Sequence, residues 1–146
     1  MSAKNSVIAD SGFWVALFYK QDPYHKAALA ALDEFADRLL VVTWPVVVEA
    51  SYLLFKYAGF QQQLTFLQVI QRGGADIFDL DEHHLSRMCV LMEKYQSLPM
   101  DLADASLVIL AEELGHGRIL SVDQRDFNTY RWKNQKPFTN LLFPHG

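Results

Sequence analysis

The chain has 146 residues, a formal net charge of −4 and 51% hydrophobic residues. A chain of this length can fill a core without staples, its single cysteine, Cys89, rules out an internal disulfide, and no run reaches the roughly 18 apolar residues of a membrane helix. The acidic balance counts against a broad basic surface for nucleic acid, although clustered carboxylates that hold cations would carry part of that acid inside a site. The short polar start, Met1 to Asn5, predicts no signal peptide and a cytoplasmic location. No repeat or Gly/Ser/Pro-rich linker interrupts the chain, which predicts one domain over residues 1–146.

Val7-Ile8-Ala9 is a short apolar run ended by Asp10-Ser11-Gly12, the pattern of a buried strand and a turn. A helical stretch follows from Phe13 to Tyr19. Asp22-Pro23 predicts a helix from Pro23 to about Phe35, with Asp22 as N-cap and Ala27, Leu29, Ala31 and Leu32 packing inward. Leu39 to Val42 reads as a second strand. Thr43-Trp44-Pro45 then opens a helix carrying Val46, Val47, Ala50, Leu53 and Leu54 at spacings of three and four. Gly59 separates it from a helix over Gln61 to about Gln71, which Gly73-Gly74 ends, and Asp76 to Phe78 is a strand candidate. Asp81 caps a predicted helix through Tyr95. Asp101 opens another, Leu102 to Leu114, closed by Gly115. Arg118 to Val122 reads as a strand ending at Asp123, Gln124 to Phe127 as a helical turn, and Phe138 to Phe143 as an edge strand. Strands alternating with helices predict an α/β domain with a mostly parallel sheet and helices on both faces. The ligand site of such a sheet lies at the carboxyl ends of its strands.

The acids fall where that rule puts a site. Asp10 directly follows the first strand and Asp123 ends another, so parallel strands bring both to one sheet edge. Asp104 stands three residues after Asp101, on the same helix face. Glu49 interrupts the apolar run Val46-Val47-Val48-Glu49-Ala50, with no basic residue three or four positions away. A buried charge is costly unless paired, and grouped carboxylates repel one another. A shared hard cation, Mg²⁺ or Mn²⁺, would answer both problems and is suited to phosphodiester hydrolysis. Each acid also has a plain structural explanation. Asp101 can be an N-cap, Asp104 a favourable charge in a first helical turn, Asp10 and Asp123 turn formers, and Glu49 the partner of a distant Lys or Arg. Spacing alone leaves these alternatives open.

The pattern as a whole resembles the PIN domain family, the nuclease fold of VapC-type toxins. The resemblance runs nearly end to end. It is carried by Ile8-Ala9-Asp10-Ser11-Gly12, by Thr43-Trp44-Pro45 with Glu49, by Leu98-Pro99-Met100-Asp101-Leu102-Ala103-Asp104-Ala105, and by Ile119-Leu120-Ser121-Val122-Asp123-Gln124-Arg125-Asp126-Phe127. It implies a three-layer α/β/α domain and metal-dependent endoribonuclease activity, as the toxin of a toxin–antitoxin pair. It also implies an RNA substrate, an antitoxin that fills the active-site groove, and a homodimer. Asp10, Glu49, Asp104 and Asp123 match the four family acids. Asp10 and Asp104 would be direct Mg²⁺ (or Mn²⁺) ligands, Asp123 a ligand directly or through water, and Glu49 a completing acid or a holder of the attacking water. Ser11 and Ser121 match hydroxyl positions beside the acids, where they would hold water on the metal or a phosphate oxygen. Ser121 replaces the Thr of many members and keeps the hydroxyl. Asp101 is an additional, supporting acid.

Arg125, Arg131, Lys133 and Lys136 lie near Tyr130 and Trp132, a mixture that suits either phosphate contact with base stacking or a solvated loop. Lys20, His25 and Lys56 are assigned to the same RNA groove as Arg125. His83-His84 reads as surface, Cys89 as a packed helix residue, and most of Phe13, Trp14, Phe18 and Tyr19 as core. The competing function is a catalytically silent PIN-like module that binds RNA or protein. A phosphatase with Asp10 as nucleophile is disfavoured because Gly12 stands where a second Asp would be expected.

Overall fold

A computed structural model describes residues 5–143, so most of the Met1–Asn5 segment lies outside the described residues. The first strand, β1 (Ser6–Ala9), is buried throughout. Such continuous burial is what a central strand of a parallel sheet requires, and it explains the unbroken Val-Ile-Ala run. Asp10 caps α1 (Ser11–Phe18), which therefore begins two residues before the apolar pattern suggests.

The next helix, α2 (His25–Glu34), corrects the sequence reading. Asp22 Oδ1 accepts the Tyr24 N–H at 2.8 Å and the Asp22 carbonyl accepts the His25 N–H at 3.0 Å, so Asp22-Pro23 forms a turn ahead of the helix instead of its first position. The helix packs on α1 through the small faces of Ala28 and Ala31, and leaves Leu29 and Leu32 exposed.

Then follow β2 (Leu39–Thr43), α3 (Trp44–Ala58) with Pro45 in its first turn, and α4 (Phe60–Gln71). Gly59, at φ 98°, turns the chain between the two helices, a conformation open to glycine at little steric cost. After β3 (Asp76–Phe78), Asp81 caps a 3₁₀ turn, Glu82–His84, that leads into α5 (Leu85–Lys94). Met88 and Leu91 of α5 face inward, whereas Cys89 is exposed, not packed as expected.

The most buried helix is α6 (Leu102–Leu114). It runs from the Asp101 cap to Gly115 at φ 78°, as read from the sequence, and contacts β1, β2, α3 and α5. Burial on nearly all sides accounts for its apolar composition. The chain ends with β4 (Arg118–Leu120), α7 (Gln124–Thr129), an antiparallel pair β5 (Arg131–Trp132) and β6 (Lys136–Pro137), and β7 (Thr139–Asn140).

The five-stranded sheet has the order β3-β2-β1-β4-β7, and every pairing is parallel. With its flanking helices it forms the expected α/β/α layers. The chain first builds outward from β1 through β2 to β3, then returns to place β4 on the other side of β1. That reversal opens a crevice beyond the carboxyl ends of β1 and β4. Among the described residues no helix is long and apolar enough to cross a membrane.

Candidate active site

The β1–α1 turn supplies the centre of the site. Asp10, 5% exposed, accepts the Ser11 N–H at 2.7 Å through Oδ1 and the Ser121 hydroxyl at 2.9 Å through Oδ2. Ser121 directly follows β4 and is fully buried. Its Oγ also accepts the Asp123 N–H at 3.0 Å. Asn140 at the end of β7 clamps its backbone, accepting the Ser121 N–H at 3.2 Å and donating to the Ser121 carbonyl at 2.8 Å. One serine hydroxyl thus ties the acid after β1 to the segment carrying the acid after β4.

Ser11 makes the corresponding link to α3, donating its hydroxyl to Glu49 Oε1. The lone acid of the apolar α3 run is therefore met by a hydroxyl, and no Lys or Arg pairs with it among the described residues. On α6, Asp101 Oδ1 accepts the Asp104 N–H at 2.8 Å, and Asp104 Oδ2 accepts the Tyr130 hydroxyl at 3.0 Å. Asp101 is both the N-cap and a wall of the site. Asp123 caps α7, accepting the Asp126 N–H at 3.2 Å.

These side chains line one pocket of about 400 Å³, containing Asp10, Ser11, Glu49, Asp101, Asp104, Asp123, Arg125 and Asp126. Burial pushes the Asp10 carboxyl up to about 6, against the Ser11 and Ser121 hydrogen bonds. Burial likewise raises Glu49 to about 7, with the Asp101 charge adding to it. Asp104 goes highest, to about 8, through burial and then the charges of Asp10 and Asp101. Asp123 is also raised, first by burial and then by the neighbouring Asp126 carboxyl. Tyr130 is raised, chiefly by burial and by the negative field of Asp104, so its hydroxyl remains a donor. The pocket therefore gathers six carboxyl groups and, among its lining residues, one cation, Arg125, which pairs with Asp126. Its oxygen donors suit a hard divalent cation.

The sequence-predicted acids Asp10, Glu49, Asp104 and Asp123 come together, with Ser11, Asp101 and Ser121 among them. Arg125 stands at the same pocket, its Nε donating to Asp126 Oδ1 at 3.1 Å. Lys20 is not there. With His25 it lines a separate groove between α1, α2 and α3, and Lys56 lies on the exposed end of α3 over the Tyr57 ring. The stacking role considered for Tyr130 and Trp132 is also corrected, because both are buried. Arg131 folds back on the carbonyls of Asn128, Thr129 and Tyr130, while Lys133 and Lys136 lie over the Trp132 ring.

Asp126 is the site acid that the sequence reading missed. It is 6% exposed and follows Asp123 by three residues, the same interval that links Asp101 to Asp104. His83 is exposed as expected, but His84 is largely buried: its Nδ1 accepts the Asp81 N–H at 3.2 Å in a reciprocal cap, and its ring packs on Phe78. Asp81, His83 and His84 thus meet at a helix start remote from the acid pocket.

A parallel sheet of this order with four acids at its carboxyl edge is the plan of a PIN-fold protein, and the sequence profile of the PIN domain matches residues 7–133. The chain belongs to the PIN domain family. Its similarity to individual proteins runs in the same direction. Ribonuclease VapC26 of Mycobacterium tuberculosis (strain ATCC 25618 / H37Rv) is 29% identical over 125 residues, covering 86% of this chain and 92% of that protein. The crystal structure of M. tuberculosis VapC20, a toxin that cleaves the sarcin–ricin loop, superposes with a TM-score of 0.73 at 15% identity, over 82% of this chain and 91% of that one.

Proposed function

We propose that this protein is a metal-dependent endoribonuclease, the toxin of a toxin–antitoxin pair, and that the whole chain forms one PIN unit. The observation that carries the reading is the convergence of Asp10, Glu49, Asp104 and Asp123, from four separate elements, on one pocket where three of them sit at about 6, about 7 and about 8. Carboxylates this far above their ordinary range are poised to give up protons to a cation. Similarity to a ribonuclease over most of both chains supports the same chemistry.

In this reading Asp10 and Asp104 hold a Mg²⁺ or Mn²⁺ ion, with Asp123 reaching it directly or through water. A bound ion would supply polarisation of water and of the scissile phosphate. Ser121 fixes the orientation of Asp10 and, through the Asp123 backbone, the entry to α7. Glu49, held by Ser11, orients the attacking water. Arg125, with an exposed side chain at the pocket rim, receives a phosphate of the RNA.

The partners that go with the reading are RNA, an antitoxin and a second copy of the chain, in the cytoplasm. Exposed apolar side chains support a protein partner. Trp44, Val48, Tyr52 and Phe55 run along α3, and Trp44 and Val48 share with Leu102, Glu49 and Asp101 a groove of about 510 Å³ beside the acids.

The test is incubation of purified protein with total RNA, with Mg²⁺ or Mn²⁺ against chelator, beside Asp104→Asn. Metal-dependent cutting that the variant loses is the expected result. Metal binding without cutting of any RNA would instead make the protein a silent binding module.

A further inference from the structure

Tyr130 follows α7 directly and is completely buried. Its ring is wedged edge-on against Tyr95 and Phe127, with centroids 5.0 and 5.2 Å away. The hydroxyl of Tyr95 accepts the Arg131 N–H at 3.1 Å, which fixes the backbone just beyond Tyr130. A phenol sunk this deep needs a partner for its O–H, and a tightly packed ring leaves that O–H one direction to point. The direction ends on Asp104 Oδ2, 3.0 Å away.

The four acids are not held equally. Asp10 receives a backbone N–H on one carboxylate oxygen and a serine hydroxyl on the other. Among the described residues, Tyr130 is the only side chain that donates a hydrogen bond to Asp104. Asp104 sits in the first turn of α6, where its own N–H donates to Asp101 Oδ1 at 2.8 Å, a bond that holds its backbone. The carboxylate of an aspartate turns freely about its last bond unless a donor pins it. The aromatic box built by α7 and the end of α5 thus reaches the site through one phenolic proton.

We propose that Tyr130 is a positioning residue for the metal centre: its buried hydroxyl sets the plane of the Asp104 carboxylate, so that Asp104 meets the ion without reorganising. The proposal rests on the metal-dependent reading above. Donors behind metal-holding groups govern affinity by about 10- to 100-fold in metal sites generally. Tyr130→Phe removes the hydroxyl and keeps the ring, so packing against Tyr95 and Phe127 survives.

The experiment is calorimetric titration of Mn²⁺ into the full chain, free of RNA, for wild type, Tyr130→Phe, Tyr95→Phe and Asp104→Asn, with near-ultraviolet circular dichroism to check packing. Tyr130→Phe should bind Mn²⁺ about 10-fold or more weakly with native-like dichroism. Tyr95→Phe keeps its ring and loses the hydroxyl that accepts the Arg131 N–H, not one that touches Asp104, and should weaken binding clearly less than Tyr130→Phe does. Unchanged Mn²⁺ affinity in Tyr130→Phe, while Asp104→Asn loses binding, overturns the proposal and leaves the metal centre standing. Equal weakening in both tyrosine variants also overturns it, because packing would then carry the effect. A wild-type chain that binds no Mn²⁺ overturns the metal-centre reading and this proposal together.

Discussion

Replacing Asp104 with Asn should make the metal-free protein more stable. Its carboxyl is raised from 3.8 to about 8, by burial first and then by Asp10 and Asp101. At about 1.4 kcal/mol per pKa unit, ionising Asp104 inside the fold costs up to roughly 6 kcal/mol. The repulsion is shared with Asp10 and Asp101, and a buried amide keeps part of the desolvation cost, so the expected gain is about 2–3 kcal/mol. For a chain of this size that is about 5–10 °C in melting temperature. The pH dependence follows from the direction of the shift. A carboxyl raised by folding binds its proton more tightly in the native state, so its contribution is favourable below about pH 4 and is lost as the pH rises through about 8. Thermal melts in excess chelator should therefore show wild type and Asp104→Asn close together near pH 4, with the variant ahead near pH 9. Saturating Mn²⁺ should reverse the order by stabilising wild type alone. A variant no more stable than wild type near pH 9 in chelator, or a gap that does not widen with pH, would refute the reasoning.

Three further outcomes can be checked. Ser121→Ala removes the hydroxyl that donates to Asp10 and accepts from the Asp123 N–H, so chemical denaturation should show a loss of about 1–3 kcal/mol, accompanied by weaker Mn²⁺ binding in calorimetry. A Cβ added in Gly12→Ala would overlap Val122 Cγ2, and a β-branched side chain has little freedom to yield, so the same measurement should show a loss of about 1–3 kcal/mol. Tyr52 and Phe55 are exposed on α3, and, with the proposed second copy docked on that face, Tyr52→Glu and Phe55→Glu should shift sedimentation from dimer to monomer while leaving the thermal melt of the fold intact.

The elements around the site were legible because each carries a local reason to form. Asp10 and Asp123 stand where apolar β-branched runs stop, and α6 has its cap, its apolar face and its closing glycine in order. The acids' convergence follows once strands are parallel, but the hydroxyls that join them are tertiary facts: nothing local indicates that Ser121 reaches Asp10 across 111 positions or that Ser11 reaches Glu49 across 38. The errors came from residues whose neighbours in sequence misrepresent their neighbours in space. Tyr130 and Trp132 lie among basic residues yet are core. Tyr130 packs on Tyr95 and Phe127, and the tight turn that follows Trp132 runs through Lys133 and Asn134 at positive φ, without the glycine that usually marks such a turn. Asp22-Pro23 has the composition of a helix start, but the Asp22 side chain closed a turn instead. Lys20 and Lys56 had no pattern placing them, and the fold put them outside the acid pocket.

The strand order has a consequence for synthesis. Asp10 is made well before its side-chain partner Ser121 and before the acids at 104 and 123, and β4 must insert beside an already paired β1. Until residues 104–123 leave the ribosome, the growing chain has a first acid without its anchor and half of the proposed metal cage. With the activity proposed above, a chain threaded in this way stays unarmed until residues 104–123 have been made.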